Sequence, residues 1–302
     1  MKGFLSIAVV ALMCFSRIAS AAEDNAKLGA IFPAGEDWQV AAEGLSFPDG
    51  LSADGEGNVY FCDLRGKPPA IFKISPDLTK SKVAEASRSG TRVGPDGRLY
   101  ACGSGKVAAY DLPSGKEEIL AENVQPNDLT VTPKGFVYFT ETGKKQVTFL
   151  NPKTKELKAA DVGINKPNGI ALSADKMSIL VSDYGGTDVV SMKIQPDGML
   201  TDKKIVGTMK CPEAKPGVAA GDGMTVDATG RAYVTSTLGL QIFSPEGELL
   251  GVLPKPQEKG LINATFGGKD FSYLYVACGD KVYRRKTLTK GATSFQEAVN
   301  SK

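Results

Sequence analysis

One short phrase recurs six times along this chain of 302 residues. Each copy begins with glycine or another polar residue and continues into an apolar run, and five of the six runs carry tyrosine at the same place. The copies read GNVYFCD, GRLYACG, GFVYFTE, SILVSDY, GRAYVTS and SYLYVAC, with anchor residues Tyr60, Tyr100, Tyr138, Leu180, Tyr233 and Tyr275. The anchors are 40, 38, 42, 53 and 42 residues apart, and such a period indicates a structure built from repeated units.

The segments between the anchors indicate antiparallel β-structure. Short alternating runs such as AIFKI and QVTFL are typical of strands, and tight turns such as SPDLT, QPDGM and SPEGE follow them. Three or four strands in each of six repeats predict an all-β fold, a six-bladed β-propeller, as one domain over residues 22–302. A strand from residues 37–45 is predicted to complete the last blade and close the ring.

The first 21 residues are typical of a secretory signal peptide. Lys2 precedes an apolar run over residues 4–15, and the sequence ASA at residues 19–21 is a suitable cleavage site. The run is too short to span a bilayer, and no later segment is long enough. Cys14 would be the acceptor in a lipoprotein, but Met13 stands where a small residue is needed. The sequence therefore predicts a mature protein that is soluble and secreted or periplasmic.

The composition excludes several kinds of chemistry. The chain contains no histidine, which excludes Ser-His and Cys-His catalysis and imidazole metal sites. Without the leader, which holds Lys2 and Arg17 but no acid, 34 basic residues balance 34 acidic ones. This balance argues against a nucleic-acid partner and against an anionic membrane surface. Any reaction must therefore use carboxylates, amides, hydroxyls, amines or a metal bound by oxygen.

A second phrase precedes each anchor by eleven or twelve residues. The phrases are PDG, RSG, PND, PNG, GDG and INA, and their central or equivalent residues are Asp49, Ser89, Asn127, Asn168, Asp222 and Asn263. The innermost strands of a propeller line its central channel, so these positions are predicted to converge on the axis. Asp and Asn are also common turn residues, but turn chemistry explains five of them in register less well.

Oxygen atoms gathered on one axis predict a cation site. Two carboxylates and two or three amides provide hard ligands with two negative charges, which suits Ca²⁺. Zn²⁺ favours His or Cys, and these positions offer neither. Both carboxylates are expected to stay ionised beside a dication.

The chain resembles the gluconolactonase and senescence-marker (regucalcin-like) family of six-bladed propellers over about residues 47–285. The resemblance depends on FPDGLSADGEGNVYFCD, PNDLTVTPKGFVYFTE, PNGIALSADKMSILVSD, GDGMTVDATGRAYVTS and NATFGGKDFSYLYVACG, which stand in family order and at family spacing. It implies one divalent cation, usually Ca²⁺, held by Asp49, Asn168 and Asp222. Asn127 is implied to lie close to both metal and substrate, as a further metal-site residue.

Three positions depart from the family pattern. Asp49 stands where the family usually has the longer Glu, and Glu43 is an alternative that lies out of register. Gln125 replaces an arginine found in many lactone-binding members, so an ionic clamp on the substrate is not evident. FTET at residues 139–142 replaces the usual FTDP.

The resemblance implies a lactonase that acts on a small sugar-derived lactone. A bound cation would stabilise the oxyanion, Asp222 would take a proton from the attacking water, and Asn127 would hydrogen-bond the substrate. Two alternatives stay open. One is a non-catalytic binding or scaffold propeller whose axial cation is structural, and the other is a hydrolase of another ester such as a phosphotriester.

Two further features carry expectations. The loop at residues 210–221 fills the longest interval between anchors and is predicted to form part of the rim of the site. Cys62 and Cys102 occupy equivalent places in successive repeats and are predicted to be buried thiols, with a disulfide between them as the alternative.

Overall fold

The chain folds into a ring of six β-sheets, which confirms the predicted six-bladed β-propeller. The computed structural model describes residues 26–293. Each sheet has four antiparallel strands and forms one blade. The predicted leader, residues 1–21, lies outside the described residues. Within residues 26–293, no helix has the length and apolar character needed to cross a membrane.

The strands follow the sequence blade by blade. Blade 1 contains β2 (Pro48–Ala53), β3 (Val59–Asp63), β4 (Ala70–Ile74) and β5 (Lys80–Glu85). Blade 2 contains β6 (Gly90–Val93), β7 (Leu99–Gly103), β8 (Lys106–Tyr110) and β9 (Glu117–Glu122). Blade 3 contains β10 (Leu129–Val131), β11 (Val137–Glu141), β12 (Gln146–Asn151) and β13 (Glu156–Val162).

The second half of the ring repeats this order. Blade 4 contains β14 (Pro167–Leu172), β15 (Ser178–Asp183), β16 (Asp188–Ile194) and β17 (Leu200–Thr208). Blade 5 contains β18 (Met224–Val226), β19 (Ala232–Thr235), β20 (Leu240–Phe243) and β21 (Leu249–Leu253). Blade 6 contains β22 (Leu261–Gly267), β23 (Tyr273–Cys278), β24 (Lys281–Lys286) and, from the start of the chain, β1 (Gln39–Ala42).

The first strand of each blade faces the central axis. The strands β2, β6, β10, β14, β18 and β22 contact one another in that order, and β22 contacts β2 again. These six strands therefore form the wall of a central channel. The phrases PDG, RSG, PND, PNG, GDG and INA lie at or just before the beginnings of these strands, so they share one end of the channel.

The ring closes as the sequence predicted, with a strand from the beginning of the chain. β1 pairs antiparallel with β24, so that Gln39 lies opposite Arg284 and Val40 opposite Tyr283. Blade 6 thus combines both ends of the described chain. This arrangement leaves no inner strand without a neighbour among the blades described.

The recurring tyrosines lie on the second strands of five of the six blades and pack between blades. Tyr138, Tyr233 and Tyr275 are fully buried. The hydroxyl often also bonds an acid in the turn that links the first two strands. Such bonds, each 2.9 Å long, join Tyr60 to Asp54, Tyr100 to Asp96 and Tyr233 to Asp227. The repeated tyrosine is therefore explained by packing and by this bond, and needs no role in ligand binding.

The blades approach closely where glycine follows an axial residue. A Cβ atom added to Gly169 would lie 2.2 Å from the carbonyl oxygen of Asp222, which is far inside van der Waals contact. Gly169 follows Asn168 directly, so the close approach brings the inner strands of blades 4 and 5 together at the channel mouth.

We therefore expect Gly169→Ala to lower the free energy of unfolding by about 3 kcal/mol, because one inner strand must move away from the next. Denaturant unfolding followed by circular dichroism measures this loss. Gly55→Ala is the matched control, because a Cβ there meets nothing within 4 Å. The control is expected to change the free energy by less than about 0.5 kcal/mol, and equal losses in both variants would contradict this account of the glycine.

The cysteines of the described chain are free thiols. Cys62 and Cys102 are buried, as predicted, and the alternative of a disulfide between them is not observed. Each thiol instead bonds a backbone carbonyl: Cys62 bonds that of Ala86 at 3.1 Å and Cys102 that of Asn127 at 3.5 Å.

Candidate active site

The predicted axial residues gather at one end of the central channel. Asp49, Asn168 and Asn263 lie within the first strands of blades 1, 4 and 6, whereas Ser89, Asn127 and Asp222 directly precede those of blades 2, 3 and 5. Asp49, Asn127 and Asp222 keep some exposed surface, while Asn168 and Asn263 are buried. We call Asp49, Asn127, Asn168, Asp222 and Asn263 the axial site.

The two carboxylates of the axial site influence each other although their blades are not neighbours. Burial, followed by the negative charges of Asp49 and Asp128, raises the pKa of Asp222 well above its ordinary value. Burial, followed by the charge of Asp128, raises the pKa of Asp49 to about 7. The site therefore concentrates negative charge that has little water around it. Such a concentration favours either protonation or a bound cation.

Amide side chains accompany both carboxylates. The Asn263 side chain donates a hydrogen bond of 3.2 Å to Oδ1 of Asp49. The Asn168 side chain lies close enough to Asp222 to oppose, in part, the rise of its pKa. Asn263 stands in register in the sequence, but the family resemblance did not include it among the metal-site residues.

Asn127 differs from the other two asparagines. Its backbone is fixed, because its N–H donates to the carbonyl of Thr140 at 2.8 Å and its own carbonyl accepts from Ser89 Oγ. Its side-chain amide makes no hydrogen bond to other residues in the part of the chain that the structure describes. This partly exposed amide is therefore available to a ligand at the channel mouth.

Hydroxyl or thiol groups in five of the six blades hold the axial backbone in place. These groups lie two residues after the anchors, on the second strands, and we call them the latch residues. Thr140 donates to the carbonyl of Asn168 at 2.6 Å, Ser182 to that of Asp222 at 2.7 Å and Thr235 to that of Ile262 at 3.0 Å. Cys62 and Cys102 are the latch residues of blades 1 and 2. Each latch ties one blade to the backbone beside the axial residue of the next.

Acidic residues at the ends of second strands fix the chain two residues before an axial residue. Asp63 accepts a hydrogen bond from the backbone N–H of Phe47 at 2.8 Å. The equivalent bond from Gln125 to Glu141 is 2.8 Å and that from Lys166 to Asp183 is 2.9 Å. Glu141, which departs from the family's aspartate, therefore serves the same purpose with a longer side chain.

The Glu141 carboxylate is buried among donors. It accepts hydrogen bonds from Gln146 at 2.7 Å and Thr148 at 2.6 Å, and Lys144 pairs with it at 2.8 Å. Burial alone would raise the pKa of Glu141, but the bonds from Lys144, Thr148, Gln125 and Gln146 outweigh burial, and its pKa falls below the ordinary value.

We expect Glu141→Gln to lower the free energy of unfolding at pH 7 by about 2 kcal/mol. The Glu141 carboxylate is the acceptor in all of its hydrogen bonds, and the NH₂ group of a glutamine can accept none of them. A depressed pKa stabilises the fold above the unfolded-state pKa and loses that effect as the pH falls. The difference from wild type should therefore shrink below about pH 4.5. Chemical denaturation at several pH values measures it. Glu246→Gln, on an exposed turn, is the control, and a deficit that does not change with pH would contradict this interpretation.

The structure locates Glu43 and Gln125, the two positions that the sequence left in question. Glu43 is exposed and pairs with Lys281 at 3.0 Å, at the edge of blade 6, whereas Asp49 lies among the axial residues. Gln125 is exposed and carries no charge, so the axial rim lacks the arginine of many relatives at this position.

The loop at residues 210–221 borders the axial end of the channel. Met209 and Ala219, at its two ends, are buried, and the Ala219 N–H donates to the carbonyl of Gly186 at 2.9 Å. The residues between them are mostly exposed. The loop is therefore anchored between blades 4 and 5 directly before Asp222, which suits the predicted position on the rim.

The donor set at the axial site fits a divalent cation. Among the described residues, no three acidic or thiol side chains form a cluster that could hold a metal ion. The axial site instead combines two carboxylates with asparagine oxygens, a set that Ca²⁺ accepts and that Zn²⁺ disfavours. Burial first, and then the negative charge of neighbouring aspartates, raises the pKa values of Asp49 and Asp222, so their ionised forms are poorly compensated. A dication held between them would stabilise the ionised forms.

Comparison with known proteins identifies the family to which this propeller belongs. Residues 47–279 match the SMP-30/gluconolactonase/LRE-like region, so the chain belongs to this family, as the sequence predicted. A gluconolactonase from Zymomonas mobilis is 26% identical, with 91% of this chain and 88% of the relative aligned. The lactonase drp35 of Staphylococcus haemolyticus is also 26% identical, covering 76% and 77% of the two chains.

Solved structures share the fold. A gluconolactonase from Xanthomonas campestris superposes with a TM-score of 0.74 at 22% identity, over 86% of this chain and 92% of that one. A regucalcin from Agrobacterium tumefaciens, described as a calcium-binding protein, gives a TM-score of 0.71 at 14% identity, over 86% and 96%. At these identities the likeness concerns the architecture.

Proposed function

We propose that the protein is an exported lactonase that hydrolyses a small sugar-derived lactone with the help of one divalent cation, Ca²⁺. The observation that supports this most strongly is the meeting of Asp49 and Asp222 with asparagine side chains at one end of the channel. Membership of the family and the gluconolactonase and lactonase relatives support the hydrolase class. The leader over residues 1–21 supports export.

Asp49, Asn168 and Asp222 would hold the cation, with Asn127 beside it. The chemistry that a bound divalent cation supplies here is stabilisation of the negative charge that develops on the lactone carbonyl oxygen. The latch residues Thr140 and Ser182 keep the backbones of Asn168 and Asp222 in place, so the ligand oxygens are oriented before the substrate arrives.

Asp222 would act as the general base. One of its carboxylate oxygens takes a proton from the attacking water as the water oxygen bonds to the lactone carbon. The ring C–O bond then breaks, and the leaving oxygen takes up a proton, so that the product is an open-chain hydroxy acid. No histidine is available for this transfer, since the chain contains none.

Asn127 and Gln125 would contact the substrate. The unbonded amide of Asn127 can donate to the lactone carbonyl or to a ring hydroxyl, and Gln125 offers a neutral amide where an arginine is common in relatives. Amides suit neutral polyhydroxylated substrates, whereas an arginine suits a carboxylate or a phosphate. We therefore propose a neutral sugar lactone as the substrate class.

Hydrolysis of D-glucono-δ-lactone, followed by acid release with a pH indicator, tests the proposal. We expect turnover well above the spontaneous rate in Ca²⁺, loss of turnover in a chelator and recovery on Ca²⁺ addition. Turnover of a p-nitrophenyl phosphotriester but of no lactone would replace the lactonase by the esterase alternative. Binding of Ca²⁺ without turnover on a panel of sugar lactones would support a binding propeller instead.

A further inference from the structure

A second polar feature lies deeper in the central channel. Arg92 belongs to the first strand of blade 2, three residues after Ser89, and three residues of strand span about 10 Å. Its Nε atom is buried and has no hydrogen-bond partner among the described residues. Burial lowers the pKa of Arg92, and the charge of Asp128 opposes this. The channel therefore contains a cation with an unsatisfied donor.

Arg92 lines a small cavity at the end of the channel opposite the axial site. The cavity has a volume of about 40 Å³, and we call it the distal cavity. Its polar lining consists of Arg92, Lys176, Thr130 and Thr225, and Ala292 covers it from the last described segment of the chain. Thr130 and Thr225 lie three residues after Asn127 and Asp222, so the distal cavity is about 10 Å from the axial site.

The composition of this lining selects for negative charge. Arg92 and the two hydroxyl groups can donate hydrogen bonds, Lys176 adds a second positive charge, and no carboxylate lines the cavity. A buried hydrogen-bond donor such as Nε of Arg92 is costly unless a partner satisfies it. Asp128 is the nearby acid, but its carboxylate is bonded by the backbone N–H groups of Leu129 and Ile170.

The volume limits what the cavity can hold. A bound water molecule needs about 10–15 Å³ of cavity volume. The distal cavity, at about 40 Å³, therefore accepts one small ion with one or two waters. A sugar lactone is far too large. We propose that the distal cavity binds one monovalent anion of about the size of chloride, with the Arg92 guanidinium as its main partner.

Bromide provides the direct test because it scatters X-rays anomalously. Crystals of the full chain grown in sodium bromide should show one anomalous peak in the distal cavity, within hydrogen-bond distance of Arg92. In solution, addition of chloride to protein in a chloride-free buffer of large anions should raise the melting temperature by several degrees, with saturation. No peak at saturating bromide, or waters alone in the cavity, would overturn the proposal.

Variants separate a bound anion from a general effect of salt. Arg92→Met keeps an unbranched apolar stem without the guanidinium and should abolish both the peak and the saturable shift. Arg284→Met is the matched control, because Arg284 lies over the Tyr273 ring on blade 6 and its loss should leave the chloride response unchanged. If Arg92→Met does not fold, Thr225→Val removes one hydroxyl and should weaken the chloride response severalfold. A chloride response that is equal in all folded variants would contradict the proposal.

Discussion

Asp222→Asn is expected to abolish lactone hydrolysis, lowering kcat/KM by about 1,000-fold or more. The asparagine keeps the shape of the side chain but cannot accept a proton from water, and loss of a general base costs about 100- to 10,000-fold. The same change removes one of two charged cation ligands, so Ca²⁺ should also cease to raise the melting temperature. Initial rates and thermal unfolding with and without Ca²⁺ measure both effects.

The controls for this prediction distinguish loss of chemistry from loss of fold. Asp202→Asn changes an exposed aspartate at positive φ, a backbone conformation that asparagine tolerates, and should leave the rate unchanged. In a chelator at pH 7, Asp222→Asn should be as stable as wild type or more so, because it removes a carboxylate whose ionisation burial and the neighbouring aspartates disfavour. Substantial activity in a folded Asp222→Asn protein would exclude Asp222 as the base.

The second large effect concerns the stability of the cation-free protein, which we expect to fall as the pH rises from about 4.5 to 8. The pKa of Asp49 is raised to about 7 by burial and by the charge of Asp128, and that of Asp222 is raised well above its ordinary value. A raised pKa in the fold favours the protonated form, so its stabilisation is present at low pH and is lost as the group ionises. Each unit of pKa shift corresponds to about 1.4 kcal/mol.

The variant Asp49→Asn tests this pH dependence directly. In a chelator, the free energy of unfolding of Asp49→Asn should fall less steeply with pH than that of wild type. The variant should be more stable than wild type at pH 8, and Ca²⁺ should no longer stabilise it. Because Asp49 keeps some exposure, we expect a difference of a few kcal/mol at most. Denaturant unfolding in chelator from pH 4.5 to 8 measures it. A wild-type free energy of unfolding that rises with pH over this range, or the same pH dependence in Asp49→Asn, would contradict the raised pKa of Asp49.

The fold could be predicted because the repeat of about 40 residues is visible in the sequence. The six anchors gave the number of blades, and the register of Asp49, Asn168 and Asp222 with these anchors predicted their meeting at the axis. The closing strand could be predicted because the last repeat alone supplies three strands, whereas a strand from residues 37–45 completes it to four like the other blades. These inferences depend only on period and position.

Other features depend on the distances between blades, which a sequence does not provide. Cys62 and Cys102 are latch residues, and this role appears only once their neighbouring carbonyls are located. Asp128 stands where four other blades have glycine, and this difference is visible in the sequence. That its charge raises the pKa values of Asp49 and Asp222 becomes evident only in the folded ring. Arg92 gave no signal at all, because a single arginine within a short strand is usually exposed.

The most direct test of the axial site is a crystal structure of the full chain with Ca²⁺ or Mn²⁺, examined by anomalous scattering. We predict one peak at the channel mouth, with oxygen atoms of Asp49, Asn168 and Asp222 about 2.3–2.6 Å from the ion when it is Ca²⁺. A channel mouth without a peak at millimolar cation, or a peak that these three residues do not contact, would contradict the cation-dependent site on which the proposed lactonase depends.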